Sequence, residues 1–286
     1  FYEADTYDFV GREEIERFGG TVENHWELEN PTRPEFTYLR RMIAPTLVSI
    51  VSENYQHHQR IKLFATGDVF LPEHFVKDPK EAEEGRISGI IWSAEKNADG
   101  VLNAKGVLDA LFESMGIDSI STRDIKESER PYLHPHRSAE ILLQGKSIGY
   151  VGSLHPLIAQ AYAIKKGEVV IYELFLSSLI AEAEGEFEYQ APSKYPSIIR
   201  DISVLVPEDT RVSDVEDIVE NTGGELLWQS ELFDLYEGDN IQSGMRSMAF
   251  HLIFQSESRT LRDAEVDEVV KKIIEALESK GWEVRK

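Results

Sequence analysis

From Ile199 onward the apolar pattern of this chain runs through an ordered series of segments that few folds can accommodate. IRDISVLV alternates as a strand, and VSDVEDIVENTGG sets Val212, Val215, Ile218 and Val219 on one helical face before a glycine stop. LLWQSELFDLYEG and MRSMAFHLIFQ read as two strands joined around Gly238 to Gly244. TLRDAEVDEVVKKIIEALESKG is a long helix with Val266, Val269, Val270, Ile273, Ile274 and Leu277 as its apolar stripe. Thr260 is its expected N-cap, with Asp263 three residues on. WEVR closes as a strand. The order β-α-β-β-α-β is that of a ferredoxin-like sheet with both helices on one face. The other face is left open to RNA, a small ligand or a protein, and element order alone does not choose among them.

Small, acidic and breaker residues replace periodic apolar ones over residues 181–193. We expect two domains, 1–185 and 193–286, with a linker at 186–192. Upstream, Asp5 to Val10 reads as a strand, and Arg12 to Phe18 as a helix ended by Gly19 and Gly20. ENPTRPEF is a loop, because its two prolines are incompatible with a helix interior. Met42, Ile43, Leu47, Ile50 and Val51 recur at helical spacing, with Pro45 in the first turn. IKLFATGDVFL and GRISGIIWS follow as strands. NAKGVLDALFESMG is a helix striped by Val107, Leu108, Leu111, Phe112 and Met115. SAEILLQGKSIGYVGSLHP is a hairpin turning at Gln144-Gly145-Lys146, HPLIAQAYAI a short helix, and EVVIYELFL a strand apolar on both faces. The class is α+β. The opening FYEADTYDFV has no basic start or apolar run of a signal peptide. It reads as a strand already under way, as in a piece of a longer chain.

With 30 basic and 52 acidic residues the net charge is −22, which argues against a general polyanion-coating protein while allowing a local nucleic-acid site. The chain has no cysteine, so disulfides, thiolate metal sites and cysteine nucleophiles are excluded together. No stretch reaches the roughly 18 apolar residues of a membrane span. Neither a membrane nor DNA is expected as a partner, and the composition is compatible with a cytoplasmic location. There is no G-x-G-x-x-G, G-x-x-x-x-G-K-[ST] or G-x-S-x-G. His134, His136 and His155 form the one suggestive histidine group, but a metal would need a further ligand from elsewhere. The preferred reading gives His134 and His155, each before a proline, hydrogen bonds to backbone in tight loops. EAEEG and AEAEGE read as solvated loops or linker. In the last block Lys194, Arg200, Arg211, Arg246, Arg259 and Arg262 interleave with Tyr195, Phe233, Tyr236 and Phe250. Arginine with aromatics suits single-stranded RNA. Phe233 and Phe250 are equally able to face the helices.

The strings KYPSIIRDISVLV, ELFDLYEG, SMAFHLIFQ and RTLRDAEVDEVVKKIIEAL, in this order and spacing, closely resemble the anticodon-binding domain that ends the beta subunit of bacterial phenylalanine–tRNA ligases. The resemblance continues upstream through LENPTRPEFTYLRRMIAPTL, KLFATGDVF, PYLHPHRSAEILLQGKSIGYVGSLHP and VVIYELFLSSL, and covers essentially the whole chain. It implies a class II synthetase catalytic-like module followed by the ferredoxin-like domain. In that family two alpha and two beta subunits charge tRNA(Phe) with phenylalanine, with ATP and magnesium in the alpha active site. By the same resemblance this chain has no catalytic residue, cofactor or metal of its own. It has Phe70-Leu71-Pro72 where a catalytic copy carries an arginine for the ATP phosphates, and YELFLSSLI near the third class II motif. Its first module is then expected to pack on alpha, through the helix around Leu39 to Val51 and adjoining segments.

Carried over position by position, the resemblance puts Ser203, Asp234, Tyr236 and Ser247 beside the first anticodon base. Asp234 would accept from a guanine Watson–Crick edge as a buried acceptor, and Tyr236 would offer a stacking surface. Ser203 stands where relatives commonly carry alanine. Arg200, Arg246 and Arg259 are the phosphate candidates, with Arg200 and Asp201 equally readable as an ion pair. The rival reading is a stand-alone protein-interaction scaffold built from the same modules.

Overall fold

The computed structural model describes residues 1–95, 99–117, 120–126, 129–183, 193–238 and 241–285. Its contacts divide the chain into two units, Phe1–Phe187 and Glu188–Lys286. The expected linker at 186–192 lies outside the described residues.

The first unit contains β1 (Tyr2–Glu3), β2 (Phe9–Val10), α1 (Arg12–Arg17), β3 (Tyr38–Leu39), α2 (Ala44–Asn54), β4 (Arg60–Phe70) and β5 (Glu83–Ser93). It continues with α3 (Gly100–Ser114), β6 (Ile120–Asp124), β7 (Leu133–Leu143), β8 (Lys146–Leu154), α4 (Pro156–Ala161), β9 (Glu168–Phe175) and α5 (Leu176–Glu182). Seven strands form one sheet in the order β1-β4-β5-β9-β8-β7-β6, antiparallel except for β1 beside β4. Strand alternation splits the apolar residues between two cores. Ile90, Trp92, Val169 and Ile171 pack with Leu47, Val48 and Val51 of α2 on one face. Ile91, Val170, Tyr172 and Leu174 pack with Ala104, Leu108 and Phe112 of α3 and Leu179 of α5 on the other. Gly89, opposite Tyr172 in the register, leaves the space that the Tyr172 ring occupies.

The start of α2 has no capping side chain of its own. Its cap comes from β9: the fully buried Glu173 accepts from the Ile43 N–H (2.9 Å) and the Ala44 N–H (3.2 Å). Arg86 of β5 lies 3.7 Å from the other Glu173 oxygen, pairs with Glu84 and sits 4.0 Å over the Phe175 ring. Burial pushes the Glu173 carboxyl up, and Arg86 and the two N–H groups oppose that push.

Several expectations need correction. Asp5 to Val10 is not one strand, since only Phe9–Val10 pairs there. The buried Arg40 takes the intervening polar groups: its guanidinium donates to Thr6 Oγ1 and the Tyr7 carbonyl and pairs with Asp8 at 2.8 Å. EAEEG is not a loop throughout, because Glu83 to Gly85 open β5. His134 lies in β7 rather than in a tight loop, beside a register shift between Leu133 and Ser138. It does accept a backbone N–H, from His136, and His155 accepts one from Leu157 as the N-cap of α4. Strand β6 and helix α5 escaped the sequence reading, being short and weakly patterned.

The second unit contains β10 (Ile198–Pro207), α6 (Val212–Gly223), β11 (Leu227–Tyr236), β12 (Met245–Phe254), α7 (Asp263–Glu278) and β13 (Glu283–Arg285). The sheet order β11-β12-β10-β13 is fully antiparallel and is the expected ferredoxin-like arrangement. Ile202, Val204, Val206, Met248, Phe250, Leu252 and Phe254 alternate toward the helices and meet Val215, Val219, Val266, Ile273 and Leu277.

Helix α7 starts later than expected. Its N-cap is Arg262, not Thr260. The Glu265 carboxylate accepts from the Arg262 N–H (2.5 Å) and takes both Arg259 nitrogens at 2.6 and 2.7 Å. Those bonds, the Arg259 pair foremost, hold the Glu265 pKa down from 4.5 to about 2. A depressed carboxylate gives its full stabilisation above the unfolded value and loses it as pH falls through the folded one. Thermal melts of the intact protein should therefore show a falling midpoint between pH about 5 and about 2, and Glu265→Gln should flatten part of that slope. An unchanged slope would remove Glu265 from the acid response.

Candidate nucleic-acid interface

The face of the second unit turned away from α6 and α7 is built by the alternate residues. Strand β10 contributes Asp201, Ser203 and Leu205, between buried Ile202, Val204 and Val206. Strand β12 contributes Ser247, Ala249 and His251, between Met248, Phe250 and Leu252. In β11 the alternation breaks. Leu232 is opposite helix-facing Phe250, yet Asp234 is opposite Ala249 and Tyr236 opposite Ser247, with a bulge between Leu232 and Asp234. The extra residue, Phe233, lies flat on His251, ring centroids 3.9 Å apart and planes 12° from parallel. The bulge thus resets the parity of the strand and delivers both Asp234 and Tyr236 to the open face.

Ser203, Tyr236 and Ser247 come together there with Leu205, Ile241 and Arg285 around a hollow of about 220 Å³. The Ser203 and Ser247 hydroxyls are 2.7 Å apart, and either of them is able to donate to the other. The exposed Tyr236 ring lies over Gly238, where an added Cβ would meet the phenol oxygen at 2.6 Å. The hollow offers an exposed aromatic ring, a hydroxyl pair and a guanidinium, the mixture that holds an unstacked base.

Asp234 is on the same face but does not line the hollow, and it is exposed rather than buried. The phosphate candidates do not join the group. Arg200 reaches the helix side, where it pairs with Asp263 (2.6 Å) and Asp267 (3.0 Å) of α7 and not with its neighbour Asp201. Asp201 instead bonds His251 Nδ1 at 2.7 Å. Arg246 donates to the Thr210 carbonyl and lies 3.7 Å from Glu237. Arg259 is held by Glu265. The arginine at the hollow is Arg285, which the sequence reading passed over and whose Nε also donates to Glu283 at 2.9 Å. The signal for it was the pairing of the last strand with β10, which sets Arg285 opposite Ser203. Among the described residues no group of three histidine, aspartate or glutamate side chains is placed to hold a metal ion, and none of the described helices is long and apolar enough to cross a membrane.

Residues 1–176 match the model of the phenylalanyl tRNA synthetase beta chain CLM domain, and residues 193–285 that of the ferredoxin-fold anticodon binding domain. The chain is 32% identical over 284 residues to the phenylalanine–tRNA ligase beta subunit of Geobacillus kaustophilus, covering 97% of this chain and 35% of that protein. The Bacillus subtilis subunit gives 32% over 284 residues, with 96% and 35% covered. That of Clostridium tetani gives 32% over 266 residues, with 92% and 33% covered. The chain thus spans about a third of the length of these relatives. Two matched domains in the right order, on the two folded units just described, show that the chain belongs to the phenylalanyl-tRNA synthetase beta subunit family.

Proposed function

We propose that this chain is the assembly and tRNA-recognition part of a phenylalanine–tRNA ligase beta subunit, with no chemistry of its own. In this reading the first unit packs on a catalytic alpha subunit in an alpha2-beta2 heterotetramer. ATP and magnesium are bound in alpha, and phenylalanine is attached to tRNA(Phe) in the cytoplasm. The domains run from 1 to 185 and from 193 to 286, joined at 186–192. The open sheet of the second unit receives the tRNA(Phe) anticodon at Ser203, Asp234, Tyr236 and Ser247. Arg285 lines the hollow, and Arg200, Arg246 and Arg259 do not. The observation that carries the reading is the hollow where Ser203, Tyr236 and Ser247 converge, in the unit that matches an anticodon-binding family.

The test is RNA binding by the intact assembly. A stem-loop with the tRNA(Phe) anticodon should bind more tightly than one altered at its first anticodon base. Asp234→Asn should weaken the cognate loop by about fivefold, the size of one net hydrogen bond. Amino-acid activation should stay unchanged, since it involves no anticodon contact. Equal affinity for the two loops would overturn the reading.

A further inference from the structure

The first unit contains a larger cavity, of about 450 Å³, bounded by α1, the start of α2 and residues 129–132. That is the size of a small-molecule site. Much of its wall is apolar, including Val10, Phe18, Met42 and Leu71.

Four arginines reach this wall, and their partners separate them. Arg40 pairs with Asp8, Arg41 with Glu73, and Arg86 with Glu84 and Glu173. Arg130 alone has no carboxylate within ion-pair distance among the described residues; the charge of Glu140 acts on it from farther away. Arg130 donates to the Tyr132 hydroxyl at 3.0 Å and lies 4.3 Å over the Tyr150 ring. The hydroxyl of Tyr150, a residue with 1% of its surface exposed, makes no hydrogen bond of normal geometry among the described residues, although the Tyr132 hydroxyl is close enough to act on it. Burial raises the Tyr150 pKa well above 10, so it remains a neutral donor. A buried donor without a well-placed acceptor is costly, and so is a half-buried guanidinium without a paired anion. One planar anion at this spot would satisfy both, because a guanidinium fork and a hydroxyl match carboxylate geometry. The wall carboxylates do not fill that role. Glu173 is held by the start of α2 and by Arg86, Glu14 lies beside Ser49 at 3.5 Å, and Glu129 is exposed to solvent.

We propose that this cavity binds a small amphipathic carboxylate, its anionic end on Arg130 and the Tyr150 hydroxyl and its apolar body along Phe18, Met42 and Leu71. The site is independent of the RNA-binding face.

Calorimetry of the intact protein with 4-phenylbutanoate, and with 4-phenylbutanamide as its neutral counterpart, tests the assignment. Saturable binding at one site is expected, with the carboxylate about tenfold tighter than the amide. Tyr150→Phe keeps the ring under Arg130 and removes only the donor, and it should lower carboxylate affinity by about tenfold. Arg130→Met should do at least as much. Should Arg130→Met fail to fold, Tyr150→Phe decides alone. Equal binding of acid and amide, unchanged affinity in Tyr150→Phe, or no saturation in the millimolar range would each overturn the proposal. Binding of the anticodon stem-loop should be the same in both variants, so the two sites are tested separately.

Discussion

Glu173→Ala is expected to cost the first unit roughly 3–5 kcal/mol, the range for removing one partner of a buried ion pair. Two losses coincide. The N–H groups of Ile43 and Ala44 at the start of α2 lose their acceptor, and no residue at that helix end replaces it. Arg86 keeps Glu84 but loses its buried counter-charge in the sheet. Against a total domain stability of about 5–15 kcal/mol, such a loss decides whether the unit stays folded on warming. Glu173→Gln separates the two effects, since its amide oxygen still accepts from the helix start while the charge is gone. It should recover a measurable part of the loss. Denaturant melts of the two variants beside the parent give the comparison, and a cost below about 1 kcal/mol for Glu173→Ala would show that the cap is dispensable.

Tyr236→Ala is the change expected to act most on RNA. On the proposed anticodon reading, removal of a stacking ring weakens binding by roughly 1–3 kcal/mol, about five- to 150-fold. Tyr236 is 42% exposed and ends its strand, so the fold should tolerate the truncation. Tyr236→Phe keeps the stacking surface and should retain most of the affinity. Fluorescence titration with the cognate stem-loop, paired with melting curves, distinguishes a lost contact from a lost fold. If Tyr236→Ala binds as the parent does while remaining folded, the hollow is not where the base sits.

Local signals made much of this architecture readable. Helical spacing located α2, α3, α6 and α7, and the glycines at 145 and 116 marked a hairpin turn and a helix end. The split β-α-β-β-α-β order followed from strand and helix periods alone. What stayed hidden depends on distant partners. The cap of α2 comes from Glu173, 130 positions away from Ile43. Helix α7 begins at Asp263 because Arg259 and Glu265 close its first turn, where Thr260 carried the better capping side chain. Arginine-rich composition pointed to RNA, yet Arg200 and Arg259 are held by carboxylates of α7 and Arg246 by a carbonyl and Glu237. At the hollow, the resemblance named Ser203, Tyr236 and Ser247 together. Simple alternation in FDLYEG would have sent Asp234 and Tyr236 to the same side as Leu232, toward the helices.

The bulges of β11 have a second consequence, for the solubility of the protein. This strand is an outer edge of its sheet, and an edge offers unpaired N–H and C=O groups to any passing extended segment. Register is interrupted between Leu227 and Gln229 and again between Leu232 and Asp234. Only residues 229–232 and 234–236 remain as regular stretches. An incoming strand finds no continuous ladder to extend, although Trp228, Phe233 and Leu235 are exposed and sticky. The irregularity that orients the open face also guards the domain against edge-to-edge aggregation.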